Sequence, residues 1–231
     1  MIDGNVATDV RADAVLFDVD DTLCRYRRSG AALLAAAFDR TGHEPFITVE
    51  EYYDRYPEFV DDSDSMRDLR AQCFAAIADE RGYDPSVGRR VAAAYADERD
   101  HGNVEPLAGV DEALSALSDL PLGVVTNGAP AMQSAKLTAL GLGEAFDVVV
   151  HGGYDAPAKP SPEPFHRALS SLDASPGRTY HVGNSLSSDV AGARAAGVRA
   201  VWLADGTARP EPEPDHTVDA IADVPRLLDD H

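Results

Sequence analysis

Short apolar runs recur along the chain at the length of buried strands: Ala14–Phe17, Leu122–Thr126, Asp147–Val150, Thr179–Val182 and Ala200–Leu203. The segments between the last four read as helices over Val110–Ser118, Pro130–Leu140, Pro162–Leu172 and Ser187–Ala196, with a closing helix at Val224–Asp229. Strands alternating with helices predict an α/β fold, a Rossmann-like parallel sheet with helices on both faces. The pattern changes after the first strand. From Arg25 to about Asn103 the β-branched runs disappear and alanine, leucine and charge take over, predicting helices Gly30–Arg40, Thr48–Phe59, Ser63–Arg81 and Asp84–Asp100. Thr48 before Glu51 and Ser63 before Arg67 are candidate helix starts, and Gly42, Pro57, Gly82 and Pro85 punctuate the segment. The expected organisation is a core of residues 1–24 and 104–231 interrupted by an α-helical unit of residues 25–103, about eighty residues and large enough to be a small domain. Residues Asp205–Asp215, rich in Pro and Glu, read as an irregular connection.

Polar residues stand where these strands end. The first run stops at Asp18-Val19-Asp20-Asp21-Thr22. Asp18 and Asp20 are two apart, so in extended chain their side chains point the same way, and converging carboxylates call for a cation or a raised pKa. A second strand ends in Thr126-Asn127-Gly128, a loop later presents Ala158-Lys159-Pro160, and another strand ends in Gly183-Asn184-Ser185 with Asp189 beyond. Open α/β sheets bind ligands beyond their strand ends, so four polar clusters at equivalent positions predict one site.

Composition narrows the partners. A formal charge of −20 and a pI near 4.5 exclude a basic footprint for nucleic acid or anionic membrane. Of the 20 basic residues only Lys136 and Lys159 are lysines. An acidic, lysine-poor surface is similar to that of proteins from salt-accumulating (halophilic) archaea, where screening lengths fall to roughly 3 Å near 1 M salt. Lys136 is expected in solvent. Cys24 and Cys73 are the only cysteines, consistent with a reducing compartment, and a small buried thiol is expected at Cys24. The N-terminal eleven residues lack the basic and apolar regions of a signal peptide, and no apolar run approaches membrane-spanning length, so a soluble cytoplasmic protein is expected. Tyr52, Tyr53 and Tyr56 read as a packing stripe, Ser185 and Ser187 as helix caps, and Arg25, Arg27 and Arg28 as solvated charges. His151 lies nearest a strand end, with packing or solvation favoured over catalysis.

The four clusters together resemble the motifs of the haloacid dehalogenase superfamily of hydrolases, in its phosphatase-rich branch with a helical cap between the first and second motifs. D-V-D-D-T-L, T-N-G and K-P-S-P-E-P-F match the first three, and G-N-S-L-S-S-D-V-A-G-A-R-A-A-G matches the fourth except at Asn184, where the family usually has an acidic metal ligand. The resemblance implies Asp18 as nucleophile, forming an aspartyl-phosphate, Asp20 as general acid and base, and Thr22 as a positioning residue for Asp20. It implies Thr126, Asn127 and Gly128 as a phosphate cradle with Lys159 neutralising charge. It further implies Mg2+ held through Asp18, Asp20 and the fourth motif, by Asn184 or by Asp189. The expected activity is hydrolysis of a small phosphorylated metabolite, by a monomer or homodimer. Three alternatives stand beside it: a metal-independent 2-haloacid dehalogenase, a sugar phosphomutase, and a non-catalytic binding protein on the same scaffold. Dehalogenases of the superfamily lack the second aspartate of the first motif, which is present here as Asp20.

Overall fold

A computed structural model describes residues 11–60, 62–63, 65–204, 206 and 210–229. The N-terminal stretch read for a signal peptide therefore lies almost wholly outside the described residues, as does part of the irregular connection after Asp205. The chain divides into two compact units, one running to Arg25 and resuming at Val104, the other Tyr26–Asn103.

The strands are β1 Ala14–Phe17, β2 Cys24–Tyr26, whose last residue opens the second unit, β3 Val104–Pro106, β4 Leu122–Thr126, β5 Val148–His151, β6 Thr179–Gly183, β7 Arg199–Leu203 and β8 His216–Val218. Six of them form one parallel sheet in the order β5-β4-β1-β6-β7-β8. The central strand β1 is completely buried, as a four-residue apolar run between two neighbours must be. Phe17 is in register with Val124 on one side and Val182 on the other, so β1, β4 and β6 end side by side. Chain crossovers leave β1 in both directions, which opens the crevice where such sheets bind ligands. Leu16, Val125, Val150, Phe165, Val190 and Trp202 form the core on one face of this sheet.

The second unit contains α1 Gly30–Thr41, α2 Val49–Arg55, α3 Met66–Glu80 and α4 Pro85–Glu98. The first unit adds α5 Val110–Ala116, α6 Pro130–Ala139, α7 Glu163–Leu172, α8 Ala191–Ala195 and α9 Val224–Asp229. Helix starts follow from local chemistry. Ser29, Thr48, Ser65 and Asp84 each accept a hydrogen bond from a backbone N–H in the following turn. Leu33, Phe38, Phe74, Ile77, Val91 and Tyr95 form this unit's own core, and Tyr52 joins it while Tyr53 is exposed.

Several expectations need correction. The helix expected over residues 48–59 ends at Arg55 and continues as a 3-10 turn, because Pro57 has no N–H to extend the ladder. The third helix starts from Ser65, not Ser63, since it is the Ser65 hydroxyl that receives the Asp68 N–H. The helix expected from Ser187 opens with a π turn, Leu186–Val190, capped by Ser185. The three-residue strands β2, β3 and β8 were too short to show a period. Among the described residues no helix is long and apolar enough to cross a membrane.

Gly88 on α4 lies against α3 so closely that a Cβ would come 2.1 Å from the Phe74 carbonyl oxygen. Backbone cannot swing aside as a side chain does. Gly88→Ala is expected to lose about 3 kcal/mol of unfolding free energy, whereas Gly177→Ala, with open space around it, stays near wild type; urea denaturation followed by circular dichroism measures both.

Candidate active site

At the end of β1 the chain leaves the sheet abruptly. The Asp18 N–H still donates to Val182 O at 2.9 Å, but Leu23 and Cys24 turn back to bond Val19 O, and Asp21 adopts a left-handed φ of 55°. This tight loop presents Asp18 and Asp20 to the crevice. Asp18, Asp20, Thr126, Asn127, Gly128, Lys159, Asn184 and Asp189 all line one cavity of about 340 Å³. Thr22, the remaining expected residue, is fully buried behind it.

Lys159 is the centre of the charged network. Its Nζ donates to Asp18 Oδ1 at 2.8 Å, Asp189 Oδ1 at 2.6 Å and Val125 O at 2.6 Å, which uses all three of its N–H bonds. Burial works against its charge, but the two carboxylates outweigh that and hold its pKa above the ordinary lysine value. One ammonium cannot neutralise two buried carboxylates. Burial raises Asp18, Lys159 only partly offsets this, and repulsion from Asp189 adds to it, leaving Asp18 at about 6. Asp189 is also disfavoured by burial, yet Lys159 and His181 hold it well below the usual carboxylate range. His181 is kept neutral by burial, and its Nε2 stands 3.1 Å from Asp189 Oδ1, so the assigned tautomer donates there.

The Lys159 loop is tied to β4 by a reciprocal pair of bonds. Asn127 Nδ2 donates to Lys159 O at 2.9 Å, and Lys159 N donates to Asn127 Oδ1 at 2.8 Å. Thr126 is 1% exposed, and its hydroxyl oxygen accepts from Gly128 N at 3.2 Å and Gln133 Nε2 at 3.0 Å. With both lone pairs engaged, the Thr126 hydroxyl has only its proton left to offer, and it can serve the cavity only as a donor. A Cβ at Gly128 would lie 1.9 Å from Gln133 Nε2, so glycine here leaves room for that amide.

Asp20 is held differently from expectation. Thr22 does not reach it; the Thr22 hydroxyl makes a long 3.5 Å contact to Asn184 Oδ1. Instead, Gln133 Nε2 donates to Asp20 Oδ2 at 2.8 Å and Lys136 Nζ to Asp20 Oδ1 at 2.5 Å. Pro130 at the first turn of α6 starts that helix close behind the Thr126 loop, and the three-residue spacing puts Gln133 and Lys136 on the same face. Lys136, expected in solvent, is 1% exposed. The scarcity of lysine was the available signal: both lysines of the chain are buried in this site.

The oxygens facing the cavity also bear on a cation. Among the described residues no three His, Cys, Asp or Glu side chains cluster to hold a metal. Asp18 has one carboxylate oxygen not bonded to Lys159, and the Asn184 amide and Asp20 main-chain carbonyl are further hard donors. Such a set suits Mg2+ in chemistry, with one carboxylate fewer than an acidic residue at position 184 would give. Asp189, expected as a possible ligand, directs its carboxylate to Lys159, His181 and the Ser185 N–H. Burial, with Asp20 adding to it, raises the Cys24 thiol to about 12, which leaves it inert. His151 is paired with Asp155, 3.0 Å away.

Residues 12–197 match the haloacid dehalogenase-like hydrolase family. The chain belongs to the haloacid dehalogenase-like hydrolases. A phosphoserine phosphatase of Thermus thermophilus is 35% identical over 158 residues, 68% of this chain and 64% of that protein. The glyceraldehyde 3-phosphate phosphatase of Methanopyrus kandleri is 33% identical over 226 residues, 93% of this chain and 94% of its own length. The structure of the HAD hydrolase YfnB from Bacillus subtilis shares the fold with a TM-score of 0.74 at 23% identity, covering 94% of this chain and 99% of that one. Both of these sequence relatives are phosphatases by name.

The raised pKa of Asp18 has a consequence for stability. Folded Asp18 binds a proton more tightly than the unfolded residue, so its charge costs stability that grows from about pH 4 through 6 and is complete above that. In chelator-treated protein, Asp18→Asn should therefore melt about 5 °C higher than wild type at pH 8. The advantage should fade as pH drops below 6 and vanish near pH 4. A lower melting temperature at pH 8 would contradict the charge balance described.

Proposed function

We propose that this hydrolase cleaves a small phosphate monoester through an aspartyl-phosphate on Asp18. The observation that supports it best is the donor-only Thr126 hydroxyl beside an aspartate whose second oxygen is fixed by Lys159. Asp18 Oδ2 attacks phosphorus while Oδ1 remains on Lys159, so the nucleophile is oriented without rotation. Phosphoryl oxygens receive hydrogen bonds from Thr126 and the main-chain N–H groups of the Asn127–Gly128 turn, with the Lys159 charge close by. Asp20 gives a proton to the leaving oxygen and later takes one from the water that hydrolyses the intermediate. Gln133 and Lys136 act as positioning residues, holding the Asp20 carboxylate at one orientation across both half-reactions. Mg2+, held by the Asp20 carbonyl and Asn184 beside Asp18, would screen the repulsion between carboxylate and phosphate. Asp189 supports Lys159, not the cation. In this reading the helical unit is the cap, and the names of the two phosphatase relatives favour a small polar metabolite as substrate.

Purified protein with Mg2+ should turn over at least one member of a broad phosphoester panel, and a completely negative panel would remove the proposal. Asp18→Asn should lower kcat by roughly a thousandfold or more. Lys136→Met should reduce kcat about 10- to 100-fold with KM nearly unchanged. Its loss should be greater on alkyl phosphates than on p-nitrophenyl phosphate, whose leaving group needs little protonation. Equal losses on both would make Lys136 a packing residue only.

A further inference from the structure

The helical unit contains a second group of positive charges that the proposed reaction does not use. Several arginines there are matched to acids: Arg28 lies 3.0 Å from Glu98, Arg40 3.3 Å from Asp97, Arg55 2.9 Å from Glu80 and Arg81 2.7 Å from Glu51. Arg70 and Arg99 are not. Among the described residues neither has a carboxylate within 4.0 Å. Both guanidinium groups instead lie against Tyr95, with Arg70 Cζ 5.1 Å and Arg99 Cζ 5.4 Å from its ring centroid. Arg70 also meets Tyr52 at 5.9 Å, and Arg99 meets Tyr26 at 5.0 Å. Arg99 Nη2 donates to the Tyr95 hydroxyl at 2.8 Å, and the Nε atoms of both arginines are buried without an acceptor. Gly30 keeps the neighbourhood open, since a Cβ there would lie 3.3 Å from the Tyr95 hydroxyl and 3.5 Å from that of Tyr53.

An aromatic face attracts a cation but has no net charge, so it orients a guanidinium without neutralising it. Two cations sharing one ring also repel each other. A chain with 40 acidic residues has no shortage of carboxylates to pair with them, yet among the described residues none lies within 4.0 Å of either guanidinium. Stacking fixes the planar fork that recognises carboxylate or phosphate oxygens bidentately, and a bound anion would relieve the repulsion. We propose that Arg70 and Arg99, oriented by Tyr95, form an oxyanion-binding site within the helical unit. The anion is a small carboxylate or phosphate bound by the helical unit alone.

Calorimetric titration of the intact protein with malonate decides whether the site exists. Arg70→Gln and Arg99→Gln should each weaken malonate binding at least tenfold, and Arg70→Lys and Arg99→Lys should fall between, keeping the charge but losing the fork. Tyr95→Phe retains the ring, removes the hydroxyl held by Arg99, and should weaken binding a few-fold with an unchanged circular dichroism spectrum. No malonate binding to wild type, or equal binding by wild type and these variants, overturns the proposal. Wild-type inactivity on every phosphoester counts against the phosphatase reading, while the titration still decides the site.

Discussion

One ammonium shared between two buried carboxylates sets the geometry of this protein's crevice. Lys159 reaches β1 through Asp18, β4 through the Val125 carbonyl, and the segment after β6 through Asp189, so three strand ends are referred to one atom. Burying a cation costs several kcal/mol, and the structure offsets this by giving every N–H of the ammonium an oxygen. The surplus negative charge is not spread evenly. His181 and the Ser185 N–H favour Asp189 as the ionised partner, which leaves Asp18 the group whose charge is in tension with its surroundings. An aspartate in that condition is a better nucleophile than one fully satisfied by salt bridges.

The same economy governs the second lysine. A chain of formal charge −20 repels anions at long range, so local attraction has to come from cations held close to the crevice and shielded from solvent. Lys159 and Lys136 are both placed that way, one on Asp18 and the other on Asp20. Gln133 joins the two halves, since its amide nitrogen bonds both Asp20 and Thr126. The Asp20 carboxylate and the Thr126 hydroxyl are therefore positioned by one side chain.

The parallel sheet and the identity of the residues around the cavity were legible because each is written locally: an apolar run, then a polar cluster, repeated at successive strand ends. What the sequence did not reveal were the partners that approach from other elements. Gln133 and Lys136 sit on a helix whose pattern looks ordinary; the rarity of lysine hinted at Lys136, but nothing local marked Gln133 before its contact with Asp20. His181 lies within an apolar strand and reads as a core residue, which it is, apart from its bond to Asp189. Thr22 illustrates the opposite error. The family resemblance implied Asp20 as its partner, whereas the Thr22 hydroxyl lies toward Asn184 beyond the left-handed turn at Asp21.

Asn184 is also bound from behind. The indole N–H of Trp202 donates to its main-chain carbonyl at 2.9 Å, linking the end of β6 to β7. Trp202 is the chain's single tryptophan and is 1% exposed. The protein thus contains one indole, shielded from solvent and bonded to a residue that lines the cavity. Occupation of the crevice is optically addressable without a label.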